Sequence, residues 1–239
     1  MKIQNRAMRL FLFTLNFMGL LGFATAQSLP ESLYLTDSLA IKYHSSWTKN
    51  HYSERIKEFK KAPLTIGDIV FLGNSITELG GDWGKRLGLS SSVKNRGISG
   101  DVTEGVLKRL GEITYVKPKA VFLLIGINDI FNTFTTPEYV VDNILAISKK
   151  IIKASPHTKL YVQTILPTAT LSIKEKIQQT NTLLQKKASH KTYTLLNIHV
   201  LFADEADVMK KEYTVDGTHL NEEGYAIWTD YLKKQVPFD

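Results

Sequence analysis

Ser75 stands in the run FLGNSITELGGDW, Phe71 to Trp83, where an apolar segment ends on Gly-Asn-Ser and a helical pattern begins. A hydroxyl at that point has two uses. It can cap the helix, or it can stand as a nucleophile at the end of a strand, its own N–H lying in the unpaired, electropositive first turn. Far along the chain, DGTHLNEEGY sets Asp216 three residues ahead of His219. In a turn, that spacing lets the carboxylate hold the imidazole Nδ1 and fixes the tautomer whose Nε2 can take a proton from a hydroxyl. The plainer reading leaves Asp216 on nearby backbone and His219 at the surface. Two further runs, GISGD at 97–101 and GIND at 126–129, offer backbone and side-chain N–H groups. Singly they are turns: Gly97 and Gly100 permit a tight bend, Asp101 and Glu104 form a capping pair, and Asn128 and Asp129 brace a loop. Together with Ser75, Asp216 and His219 they complete what cleavage of an acyl bond requires, namely a nucleophile, a base, an orienting acid and donors for an oxyanion. The donors would be the N–H groups of Ser75 and Gly100 and the side-chain amide of Asn128.

These residues can meet only if the elements between them bring them to one place. Five short segments read as strands, at 68–72, 91–97 (SSVKNRG, the weaker one), 119–126, 159–166 and 192–198, and alternate with helical patterns at 77–88, 101–113, 137–155, 172–189 and 222–236. Asn221 is a plausible N-cap for the last helix. The segment KAVFLLIG is continuous and apolar, as a strand covered on both faces must be. Strands alternating with helices predict an α/β protein, a three-layer α/β/α sandwich around a five-stranded parallel sheet. In the common flavodoxin-like order 2-1-3-4-5, the loops after strands 1, 2 and 3 converge at the carboxyl edge where strand order reverses, which is where ligands bind. Those loops carry GNS, GISGD and GIND.

The four runs, in this order, resemble the SGNH branch of the GDSL-type esterases and lipases, a likeness extending from about Asp68 to Trp228. It implies Ser75 as nucleophile, Gly100 and Asn128 completing the oxyanion hole with Ser75, and Asp216 and His219 closing a triad. The first block departs from the family pattern, because Asn74 stands where a carboxylate is usual. The second block, GISGD, is similar to that of acetylhydrolases acting on platelet-activating factor and of bacterial sugar esterases. The implied activity is hydrolysis of short acyl esters, acetyl foremost, on carbohydrate or another small molecule, without a cofactor. The rivals are a phospholipid or lysophospholipid acylhydrolase and an inactive glycan-binding domain.

The rest of the sequence bounds this reading. The 239 residues, 43% hydrophobic and 22% charged, suffice for one sizeable domain. Basic MKIQNRAMR, apolar LFLFTLNFMGLLGF and the small residues Ala24 and Ala26 have the layout of a signal peptide cut before Gln27. The apolar run is short of the roughly 20 residues of a membrane span, so no anchor is expected after cleavage. The expected organisation is a leader over 1–26, an N-terminal helical extension over 27–65 and a hydrolase domain over 66–239. The absence of Cys excludes disulfides and thiol-linked lipid. The net charge of +7 falls to +4 without Lys2, Arg6 and Arg9, and the remaining lysines are scattered. Nucleic acid is therefore not an expected partner. His44, His51, His157, His190 and His199 have no metal-ligand spacing, so no metal is expected, and the glycines of GGDWGKRLG do not form a phosphate loop. Trp83, Phe131 and Phe134 either line the pocket mouth or pack in the core.

Overall fold

Branched and aromatic runs build the centre of the molecule. In the computed structural model, which describes residues 29–35, 40–188 and 193–238, β1 (Ile69–Gly73) and β3 (Ala120–Leu124) are buried at every position. The leader expected over 1–26 and His190 lie outside the described residues. With β2 (Val93–Gly97), β4 (Lys159–Gln163) and β5 (Thr194–Leu196), β1 and β3 form one sheet in the order β2-β1-β3-β4-β5. Every neighbouring pair is parallel. This is the order expected from the sequence.

The register explains how the faces are filled. Phe71 pairs with Phe122 and Phe122 with Tyr161, so alternation puts all three rings on one face. They stack across the sheet at centroid distances of 4.8 and 4.7 Å. Over that face lie α3 (Trp83–Leu87), α9 (His199–Phe202) and α10 (Glu222–Gln235). The opposite layer comprises α4 (Thr103–Lys108), α5 (Gly111–Val116), α7 (Pro137–Ala154) and α8 (Lys174–Lys186), which pack on one another. One apolar core runs through both layers.

Trp83 belongs to that core and not to a pocket mouth. It is 1% exposed, stacks on Phe71 at 4.1 Å, meets Trp228 edge-on and donates its indole N–H to Thr77 O. The single helix expected over 101–113 is two, α4 and α5. The chain turns at Arg109, whose guanidinium reaches inward to Asp101 and to Gly73 O. The strands expected to reach 166 and 198 stop at Gln163 and Leu196.

Ahead of the sheet runs α1 (Ser46–Lys61), capped by Ser45, whose hydroxyl accepts from Thr48 N. Its buried residues Tyr52, Ile56 and Phe59 join Tyr34 and Ile41 in a second apolar cluster with Ile98 and Val102. The helix is antiparallel to the end of β2. Arg96 donates to Ala62 O, Arg55 donates to Gly97 O, and Thr48 lies against Gly100. The amino end of α1 thus rises beyond the carboxyl edge of the sheet.

Candidate active site

Ser75 is the first residue of α2 (Ser75–Glu78), directly after β1. Capping that helix falls to Asn74, whose Oδ1 accepts from Ile76 N at 3.1 Å. The serine hydroxyl is therefore not needed as a cap. It lies 2.9 Å from His219 Nε2, and His219 Nδ1 lies 2.7 Å from Asp216 Oδ2. With the proton on Nδ1, the imidazole donates to Asp216 and accepts from Ser75. Asp216 Oδ1 also accepts from the backbone N–H groups of Thr218 and His219. Partial burial alone would raise the Asp216 pKa, but these bonds outweigh it and hold the carboxyl down at about 2. The carboxylate is ionised at any working pH.

A knotted turn holds this pair in place. Thr214 Oγ1 donates to His219 O and accepts from Gly217 N, while Gly217 O accepts from Ala169 N. Gly217 has a φ of +87°, and a Cβ there would stand 2.6 Å from that of Ala169, so only glycine fits without strain. Asn221 caps α10 through Gly224 N, as expected.

The second and third loops meet the first through Asp101. Its backbone carbonyl accepts one amide hydrogen of Asn128 at 2.8 Å. Its carboxylate accepts from Val102 N, from Arg109 Nε at 2.8 Å and pairs with His44 Nε2 at 3.0 Å, all buried. Arg109 Nη2 reaches Gly73 O at the end of β1. One residue, Asp101, thus ties these segments together: its carboxylate holds Arg109, which reaches the end of β1, and His44 before α1, while its carbonyl holds the Asn128 loop. The capping pair imagined for Asp101 and Glu104 does not form, since Val102 is the N-cap of α4 and Glu104 accepts from Lys42 N. Asp129 accepts instead from Thr103 N and Oγ1, and Asn143 donates to the same hydroxyl. Burial pushes the Asp129 carboxyl up to about 6, against the Thr103 bonds that favour its charge. Gly100 sits in the left-handed region at φ +79°, and a Cβ there would lie 2.5 Å from Thr48 Oγ1.

Sequence reasoning missed the roles of His44, Arg109 and Asp129. His44 and Asp101 are 57 residues apart, so no local spacing marks them. Phe131 closes α6 (Ile127–Phe131), three residues after Asn128, and Phe134 lies in the loop after it; they are 41% and 84% exposed. Among the described residues no group of three or more His, Cys, Asp or Glu could hold a metal ion. No helix among them is long and apolar enough to cross a membrane.

A parallel α/β sheet with a serine, a histidine and a carboxylate in hydrogen-bonded series at its carboxyl edge defines a serine ester hydrolase. The chain belongs to the GDSL-like lipase/acylhydrolase family, whose sequence model matches residues 71–227. It is 30% identical, over 66% of its length and 71% of the relative's, to the platelet-activating factor acetylhydrolase IB subunit alpha1 of Pongo abelii. A Streptococcus pneumonia structure provisionally described as a platelet activating factor superposes with a TM-score of 0.71 at 28% identity, covering 79% of this chain and 94% of that one. A carbohydrate esterase family 3 structure from Talaromyces cellulolyticus shares the fold, with a TM-score of 0.55 and 19% identity over 72% of this chain and 100% of that one.

Proposed function

We propose that the protein is an exported serine esterase that removes short acyl groups, acetyl foremost, from carbohydrate. The observation that carries the reading is the Ser75–His219–Asp216 series at 2.9 and 2.7 Å. Ser75 Oγ attacks the ester carbonyl as its proton passes to His219 Nε2, and ionised Asp216 steadies the imidazolium. The negative oxygen so formed receives hydrogen bonds from Ser75 N–H, Gly100 N–H and the second amide hydrogen of Asn128. Collapse expels the alcohol, which takes the proton from Nε2. Water then gives a proton to the same nitrogen and attacks the acyl carbon, and the bond to Ser75 Oγ breaks as that oxygen takes the proton back from Nε2, which releases the acid.

Export follows from the leader read in residues 1–26, with 27–65 as a helical extension and 66–239 as the hydrolase domain. A short acyl group agrees with the acetylhydrolase named for the 30%-identical relative, and a sugar alcohol with the name of the carbohydrate esterase sharing the fold. A second reading, a phospholipid acylhydrolase, draws on the same relative's name and on exposed Phe131 and Phe134, which follow Asn128 in the chain. A panel of acetylated xylooligosaccharides, p-nitrophenyl esters of rising chain length and lysophospholipids distinguishes the two. The expected result is highest kcat/KM on acetyl esters and a fluorophosphonate adduct on Ser75 by mass spectrometry. Ser75→Ala should lower kcat by at least ~10⁴-fold. Faster turnover of the lysophospholipids would favour the second reading. Turnover surviving in Ser75→Ala would overturn both.

A further inference from the structure

The chain keeps three tryptophans, and two of them, Trp83 and Trp228, are 1% and 0% exposed in the core. The third, Trp47, is 61% exposed. It lies in the first turn of α1, at the end of the helix that rises beyond the carboxyl edge of the sheet. Its neighbour Thr48 is the residue lying against Gly100.

Trp47 is exposed but not loose. Its ring stacks on that of His51, with centroids 4.9 Å apart and planes inclined by 13°. His51 Nε2 stands 3.0 Å from both carboxylate oxygens of Glu78, the last residue of α2 and one turn on from Ser75. Glu78 in turn accepts from Ser99 N at 2.5 Å and Ser99 Oγ at 2.8 Å, directly before Gly100, and pairs with Arg55 at 3.4 Å. The supports of this ring are thus the two backbone segments that carry Ser75 and Gly100. An indole with one face held on an ordered imidazole and much of its surface open to solvent offers a flat apolar platform.

We propose that Trp47 is a binding platform on which a pyranose ring of the ester's alcohol portion stacks while its acyl group is attacked at Ser75. This rests on the carbohydrate reading above, in which the acyl group is short and any ring belongs to the alcohol. The apolar C–H face of the sugar meets the indole, and its hydroxyls remain in water or on polar groups of the rim. His51 and Glu78 are positioning residues, because they act on substrate only through Trp47.

The test compares the wild type with Trp47→Ala and Trp47→Phe on an acetylated xylooligosaccharide and on ethyl acetate, which has no ring, in a pH-stat. The readout is the ratio of kcat/KM on the sugar ester to that on ethyl acetate. Trp47→Ala should lower the ratio about tenfold, mainly through KM of the sugar ester, and Trp47→Phe should restore it to within about threefold of wild type. As the one exposed tryptophan among the described residues, Trp47 should also report deacetylated oligosaccharide bound to Ser75→Ala by a change in fluorescence. An unchanged ratio in Trp47→Ala, where the wild type does hydrolyse the sugar ester, overturns the platform and leaves the substrate reading standing. A wild type that hydrolyses ethyl acetate and not acetylated sugar overturns both.

Discussion

Asn128 has an amide with two hydrogens, and one is committed to Asp101 O at 2.8 Å. That bond does not reduce its value as a donor. It fixes the rotation of the amide, so that in the proposed oxyanion hole the second hydrogen would need no reorganisation when charge develops on the substrate oxygen, the condition under which such a donor is worth most. Asn128→Ala should lower kcat by roughly 10²- to 10³-fold and leave KM close to its original value. Steady-state kinetics on a short acyl ester checks this. A large rise in KM at constant kcat would make Asn128 a ground-state binding residue instead. The amide's anchor is itself anchored, since the Asp101 carboxylate is held by Arg109 and His44 in a region closed to water. Breaking a buried pair of this kind is costly because the remaining charge has no solvent to turn to.

Among the elements, α1 is the one whose part in the site is least expected from its place in the chain. It ends before the sheet begins, yet its Thr48 closes on Gly100 and its Ile56 packs with Ile98 and Val102 on either side of that loop. Gly100→Ala should therefore suffer twice, from a Cβ forced into Thr48 and from a φ of +79° that costs any other residue of the order of 1 kcal/mol. Thr48→Ala in the same chain removes the nearest atom at 2.5 Å and leaves the backbone strain. The double variant should recover part of the stability and kcat lost by Gly100→Ala, a coupling readable in urea denaturation and kinetics. Strict additivity of the two changes would show that α1 does not brace the loop. This helix also shows where the sequence is legible. Its own amphipathic pattern and the continuous apolar β1 and β3 follow from local composition and short-range periodicity, while the strand order was expected only as the common one for such an alternation. The hydrogen-bonded pairing of His219 with Asp216 was legible because the two are neighbours in one turn. The break between α4 and α5 and the partner of His44 were not, because both depend on Arg109 and His44 reaching Asp101 from other parts of the chain. Trp83 was equally opaque, since nothing local distinguishes a core aromatic from one at a pocket rim.

At the scale of the whole molecule, these buried and paired carboxyls set how stability varies with pH, and they do not all pull the same way. Asp216, Glu78 and Asp207 titrate low in the fold: burial would raise them, but it is outweighed by hydrogen bonds from His219, from His51 and Ser99, and from His199 and Gln178. Glu222 is lowered by its paired bonds to Arg86. Each of these contributes stability that is fully present above the unfolded value near ~4 and is lost as pH falls through the lower folded value. Asp129 has the opposite sign. Raised from 3.8 to about 6, it binds a proton in the fold between those pH values while the unfolded chain does not, so its contribution improves as pH falls from above 6 towards 4. The shift corresponds to roughly 3 kcal/mol against the fold at high pH. The protein should therefore be most stable in mildly acidic solution, near pH 5, and less so at pH 8. Asp129→Asn removes the titration. Its amide turns one N–H towards the donors of Thr103, which costs the same at every pH, so the informative quantity is the slope. Urea denaturation at pH 5, 6.5 and 8 should show wild-type stability falling with rising pH and the variant's falling less, its stability relative to wild type becoming more favourable at pH 8 than at pH 5. Parallel curves for the two proteins would mean that Asp129 is ionised throughout this range, with the Thr103 bonds prevailing over its burial.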